Sequence, residues 1–132
     1  MDLACDFRVL VVDDSLVMRR IIRNHLQAMG ITDVLEADSG EKALRILAGT
    51  RADVVLSDWC MRGMHGIELL RRLRASEATQ NIPFIMVSAE AQPHLVMEAI
   101  QARVSAYVVK PFTREELRAS IEKVIRLGQP LS

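Results

Sequence analysis

The chain has 132 residues, half of them hydrophobic, with 17 Lys and Arg against 17 Asp and Glu. That is enough apolar material for one domain with a buried core, and it excludes a disordered chain. The balanced charge offers no basic excess for nucleic acid or an anionic membrane surface, and no apolar stretch approaches the roughly 20 residues of a membrane span.

From the N-terminus, MDLACDFR has an acid at its second position and no long apolar run, so it does not read as a secretory signal. Residues 8–12 (RVLVV) predict a strand. Over 15–29, Met18, Ile21, Ile22, Leu26 and Met29 recur at helical spacing, with Ser15 as N-cap and Gly30 just past the end. A short second strand is expected at 33–37 (DVLEA). Ser39 opens a helix to 48, with Ala43, Leu44 and Leu47 inward and Gly49 closing it. The third strand is expected at 53–57 (DVVLS), followed by a helix over 67–75 with Leu69, Leu70 and Leu73 inward. Residues 82–87 (IPFIMV) predict the fourth strand, with Pro83 near its start, where a missing donor is tolerated. A helix over 93–104 has Pro93 in its first turn. The fifth strand is expected at 106–109 (AYVV). Thr113 and Glu116 form a capping box for a last helix to about 127, ended by 128–130. The class is therefore α/β: five βα units, a doubly wound parallel sheet covered by helices on both faces, one domain over 1–132.

Asp13-Asp14, Asp58 and Lys110-Pro111 each follow an apolar run, at strand C-terminal ends. In an open parallel sheet those ends line one crevice, where ligands bind. Adjacent carboxylates repel unless a cation neutralises them, and oxygen ligands without His or Cys favour Mg²⁺ or Mn²⁺ over zinc. Asp58 is the candidate nucleophile, because a carboxylate can attack phosphorus to give an aspartyl-phosphate; a third metal ligand without covalent chemistry is the competing role. Lys110 can reach a phosphoryl oxygen as a compact point charge, and the following X-Pro bond is a place for a cis peptide. Ser88 ends the fourth strand, where its hydroxyl can donate to a phosphoryl oxygen or cap the next helix. The small Ala89 leaves room for a phosphodonor, and Glu90 can meet that donor or a phosphatase. Cys5 and Cys60 form no metal-type or redox-type pair, so a reduced cytoplasmic protein is expected.

The strings VLVVDDS, VVLSDW, IMVSAEA and AYVVKPF, in this order and at these separations, make the chain resemble bacterial response-regulator receiver domains, most closely the single-domain chemotaxis type. The resemblance covers about residues 7–125. It implies a flavodoxin-like fold of strand order 2-1-3-4-5, a histidine kinase as phosphoryl source and Asp58 as acceptor. Mg²⁺ would sit between Asp13, Asp14, Asp58 and the backbone carbonyl of Cys60, with Ser88 and Lys110 on the phosphoryl oxygens. Ser88 moving inward would let Tyr107 turn from outward to buried, a two-state switch. The loop after Asp58 departs from the usual Met-Pro-x-Met-Asp-Gly, reading Met61-Arg62-Gly63-Met64-His65-Gly66. Losing the proline is expected to loosen the loop. Arg62 adds a cation near the site, and His65 replaces an acid at a helix start, where a cation opposes the dipole. Cys60 stands where the family tunes phosphoryl lifetime, and Ala102-Arg103 replaces the usual Ala-Gly after the fourth helix.

No DNA-binding or catalytic segment follows the last predicted helix, so output is expected through protein contact. Val96, Ile100 and Val104 at i, i+4, i+8, with Tyr107, are expected to form a groove for an amphipathic partner helix; Met97 can face the sheet. The same residues also fit a wider buried stripe. The expected partners are a histidine kinase and a downstream target such as the flagellar motor switch, with no nucleic acid, no membrane insertion and a monomeric state. A phosphate sink or phosphorelay receiver of another signalling system is the alternative in the same class. A Mg²⁺-dependent phosphatase would place its nucleophile on the first strand with a second Asp two residues on, and a flavin-phosphate loop would not present the carboxylates of DDSLVM.

Overall fold

Alternating faces along each strand organise the molecule. The computed structural model describes residues 7–127, so Cys5 and the expected helix stop at 128–130 lie outside it. Its elements are β1 (Arg8–Val12), α1 (Leu16–Ala28), β2 (Asp33–Ala37), α2 (Gly40–Gly49), β3 (Val54–Ser57), α3 (Gly66–Arg74), β4 (Phe84–Ser88), α4 (Pro93–Gln101), β5 (Ala106–Val109) and α5 (Arg114–Leu127). The five strands are all parallel, in the order β2-β1-β3-β4-β5.

Successive strand side chains point to opposite faces, so an all-apolar strand feeds two cores. Val9 and Val11 of β1, Val54 and Leu56 of β3, and Ile85 and Val87 of β4 pack with Ile22 and Leu26 of α1 and Leu117 and Ile121 of α5. On the other face Leu10, Val12, Val55, Phe84 and Met86 pack with Leu69, Leu70 and Leu73 of α3 and Ala99 of α4. Chain order reverses between β1 and β3, and the crevice outside the strand ends at that reversal is the ligand position of this architecture.

Helix starts follow local chemistry. Ser15 and Ser39 accept from the backbone N–H groups of Met18 and Lys42. Thr113 and Glu116 exchange side-chain bonds with each other's backbone N–H, the expected capping box.

Several boundaries differ from expectation. Asp53 precedes β3 rather than opening it, and its carboxylate accepts the Arg8 N–H at 2.7 Å. β4 begins two residues late, just after Pro83, which has no N–H to give the ladder although its carbonyl accepts the Val55 N–H; Ser88 is its last residue. Ile21, which shares the helical spacing of its buried neighbours, and Met97, which could face the sheet, are 40% and 53% exposed.

α4 stops at Gln101, three residues short of the expected end. The cause is a Schellman closure: Val104 N–H reaches the Ala99 carbonyl and Arg103 N–H the Ile100 carbonyl, with Arg103 at φ 69°. Val104 is thus past the helix and fully buried in the second core, not part of an exposed groove. The buried Arg74 guanidinium closes the same corner. It donates to the carbonyls of Arg103 (3.0 Å), Gln80 (3.0 Å) and Ile82 (2.7 Å) and to Ser105 Oγ (3.5 Å). Burial, and then Arg103 nearby, pull its pKa down to about 10, so it stays charged at neutral pH.

A left-handed backbone costs a non-glycine residue about 1–2 kcal/mol. Arg103→Gly is therefore expected to stabilise the fold by about 1 kcal/mol, raising Tm by roughly 3–5 °C for a domain of this size. A thermal melt by circular dichroism checks it.

Candidate functional site

Hydrogen bonds continue the sheet one step beyond three strands. Asp13 N–H donates to the Ala37 carbonyl, Asp58 N–H to the Val12 carbonyl and Lys110 N–H to the Ser88 carbonyl. Each functional residue therefore starts from a backbone position that the sheet holds. Lys110 Nζ then joins the strand ends, donating to Asp13 Oδ2 at 3.1 Å and Asp58 Oδ2 at 3.2 Å. All three side chains are largely buried, at 15% exposure for Lys110, 3% for Asp13 and 14% for Asp58. The Lys110–Pro111 bond is cis.

The carboxylates are oriented separately. Asp58 Oδ1 accepts the Trp59 N–H at 2.7 Å, which fixes its plane. Asp13 Oδ1 accepts the Ser15 N–H at 2.9 Å, while Arg19 Nη1 holds the Asp13 carbonyl at 2.7 Å. Asp14 turns elsewhere: its Oδ2 accepts the Arg62 N–H at 3.1 Å and lies 4.0 Å from the Arg62 Nε. Ser88 is buried, and its Oγ accepts the Glu90 N–H at 3.1 Å. Tyr107 is half-buried against the second core, and its hydroxyl donates to the Glu90 carbonyl. Burial raises its pKa, with the Ser88 hydroxyl opposing. Cys60 is exposed, with its Sγ 3.6 Å from Glu90 Oε1. Burial and then Glu90 push that thiol up, so it stays protonated.

Burial also raises the Asp13 pKa, and the Ser15 and Lys110 bonds do not offset it. One ammonium against the two carboxylates of Asp13 and Asp58 leaves the cluster short of positive charge. As placed, no three Asp, Glu, His or Cys side chains among the described residues converge closely enough to enclose an ion. The donor set still suits a hard divalent cation: Asp13 and Asp58 already share one cation and offer only oxygen. Asp14 would have to leave the Arg62 N–H to join them.

On the output side the expected set divides. Val96 and Ile100 are half-buried on α4 and Tyr107 lies beside them in sequence order on β5, whereas Val104 is sealed in the core. No helix among the described residues is long and apolar enough to cross a membrane.

Comparison with known proteins accords with this geometry. The response regulator receiver domain model matches residues 9–122. The chain belongs to that family. It is 48% identical over 117 residues to the chemotaxis protein CheY of Pseudomonas aeruginosa, covering 89% of this chain and 94% of the relative. It is 42% identical over 119 residues to CheY-3 of Vibrio cholerae, covering 90% and 92%. The crystal structure of Vibrio cholerae CheY4 superposes with a TM-score of 0.85 at 31% identity, covering 91% of this chain and 99% of that one. The protein is a CheY-like receiver, from a family of signalling proteins rather than conventional enzymes.

The receiver's unusual loop is held at several points. Besides the Arg62–Asp14 bond, Gly66 N–H donates to the Trp59 carbonyl, and Met61 N–H lies 3.4 Å from His65 Nδ1. Sequence reasoning passed over Gly66, where a Cβ would lie 2.0 Å from the Asp58 carbonyl oxygen. It also passed over Arg19 and Arg74. Gly66 at a helix start just after the site loop was a readable signal; nothing in composition marks a buried arginine.

Because the folded pKa of Asp13 lies above its unfolded value, the fold favours the protonated form. That contribution is full below the unfolded pKa of 3.8 and is lost as pH rises through the folded value. Asp13→Asn keeps an acceptor for Ser15 and removes the loss. In chelator at about pH 7 its Tm is expected to exceed the parent's by a few degrees, and the gain should vanish as pH falls to 3.8.

Proposed function

We propose that the chain is a phosphorylation-controlled switch that takes a phosphoryl group from a histidine kinase onto Asp58 and then changes its affinity for a target protein. The observation that carries this reading is the single Lys110 ammonium lying 3.1 Å from Asp13 and 3.2 Å from Asp58. Such a cluster has an anionic acceptor, a shared cation and a charge deficit that an incoming phosphoryl group with its cation would remove.

Asp58 attacks phosphorus with a carboxylate oxygen; the P–N bond to the kinase histidine breaks and an acyl phosphate forms. Trp59 N–H holds the attacking carboxylate in plane. Lys110 exchanges its Asp58 contact for a phosphoryl oxygen, so no charge is left unpaired in the crevice. Ser88 Oγ accepts from Glu90 N–H and lies against the Tyr107 hydroxyl; its own hydrogen would turn from Tyr107 to the same group. Asp13, Asp14, Asp58 and the Cys60 carbonyl are the groups that would hold Mg²⁺ or Mn²⁺. When bound, that cation supplies charge compensation at the phosphoryl oxygens. Self-phosphorylation from small acyl phosphates and self-dephosphorylation use the same residues.

The readout runs through Ser88 and Glu90. Tyr107 is tied to the Glu90 carbonyl, and Ser88 accepts the Glu90 N–H, so a shift of Ser88 toward a phosphoryl group alters the seat of Tyr107. Val96, Ile100 and Tyr107 flank the resulting surface, which fits an amphipathic target segment. The relatives are chemotaxis proteins, which supports chemotaxis as the pathway; a flagellar-motor component is the target this reading proposes. Those relatives are matched over 94% and 92% of their length, which supports reading this chain on their one-domain plan; a monomeric state and a cytoplasmic location belong to the proposal.

Trp59 is the only tryptophan, 7% exposed and adjacent to Asp58. Its fluorescence is expected to change on adding Mg²⁺ and again on adding beryllofluoride, a phosphoryl mimic. Asp58→Asn should abolish the second response. A parent silent to both ligands contradicts the proposal.

A further inference from the structure

The β3–α3 loop carries one feature that the switch reading leaves unused. Asp14 does not share the Lys110 ammonium with Asp13 and Asp58. Instead its Oδ2 accepts the Arg62 N–H at 3.1 Å, with the Arg62 guanidinium 4.0 Å from the same oxygen. A proline at this position, which receivers commonly carry, has neither an N–H nor a charge. Arg62 therefore adds a donor and a cation at one carboxylate of the proposed metal set.

We infer that Arg62 is a built-in competitor for the metal, holding Asp14 away from Asp13 and Asp58 so that cation uptake must break the Arg62–Asp14 contact. The inference rests on the reading of this cluster as a cation and phosphoryl site. Two effects act in the same direction. The main-chain N–H occupies Oδ2, one of the two oxygens Asp14 could offer an ion, and holds the carboxylate in this orientation; an N–H bond to a carboxylate is among the stronger neutral-donor bonds. The guanidinium repels a divalent cation, though at 92% exposure most of its field is screened by water and salt. The two parts are therefore unequal: the backbone bond dominates, and the side chain adds a smaller, salt-sensitive term. A consequence is that metal occupancy and loop position are linked. Filling the site frees the Arg62 amide, and the loop it anchors carries Met61 and Met64, both buried in the core.

The test is Mg²⁺ titration of the full chain, followed by Trp59 fluorescence and by isothermal calorimetry, in the parent, Arg62→Gln and Arg62→Pro. Gln keeps the N–H and removes the charge; Pro removes both. Arg62→Gln is expected to bind Mg²⁺ about threefold more tightly at low ionic strength, with the gain gone at roughly 0.5 M salt. Arg62→Pro should bind about tenfold more tightly, and most of that gain should survive salt. In the parent, amide hydrogen exchange at Arg62 should quicken when Mg²⁺ is added. A parent that binds Mg²⁺ while both variants bind equally or more weakly overturns the inference and leaves the switch reading standing. Absence of any Mg²⁺ response in all three proteins overturns both.

Discussion

One ammonium bridging two carboxylates on different strands is the interaction on which the rest depends. Lys110 comes from the end of β5, Asp13 from the end of β1 and Asp58 from the end of β3. β4 separates β5 from β3 in the sheet, so Lys110 reaches back over a strand to touch both acids. Buried charges are tolerated only when paired, and here one cation serves two anions, with Asp13 the less satisfied. A site in that condition is ready to accept further positive charge. It also couples the two halves of the sheet electrostatically, so that a change at Asp58 is felt at β5.

The apparatus around this contact is apolar and two-sided. Strands with no polar inward face let α1 and α5 cover one side and α2, α3 and α4 the other. Such a sheet has no freedom to slip by one residue, because a slip would exchange the two faces of every strand. The strand ends are thereby set, and with them the carboxylates. Arg74 has the same role at the opposite end, where a buried guanidinium satisfies three carbonyls from two connecting segments. Among the described residues no buried side-chain nitrogen or oxygen lacks a partner.

Much of this was legible in the chain itself. Short apolar runs marked the strands, Ser and Thr marked helix starts, and Asp13, Asp14, Asp58, Ser88 and Lys110 stood at the ends of those runs. The failures have physical causes. Helical spacing carried α4 on to Val104 because an arginine does not itself announce a left-handed residue, although the glycine usual in the family at this position does; the hydrogen bonds of its neighbours impose it. Periodicity also cannot say how wide a buried stripe is: Ile21 shares the helical spacing of the buried residues and Met97 could have faced the sheet, yet both lie outward. The Arg62–Asp14 bond was out of reach for a different reason. It joins residues 48 apart through a main-chain N–H, and sequence patterns carry no record of which backbone donors are left over.

The central claim is that Asp58, alone among the three carboxylates, becomes the phosphoryl acceptor. It is tested most directly by incubating the protein with acetyl phosphate and Mg²⁺, trapping acyl phosphates with borohydride and locating the reduced residue by peptide mass spectrometry. The account expects a single modified position, Asp58, and none when the metal is chelated. Modification of Asp13 or Asp14, or no modification with Mg²⁺ present, would contradict it.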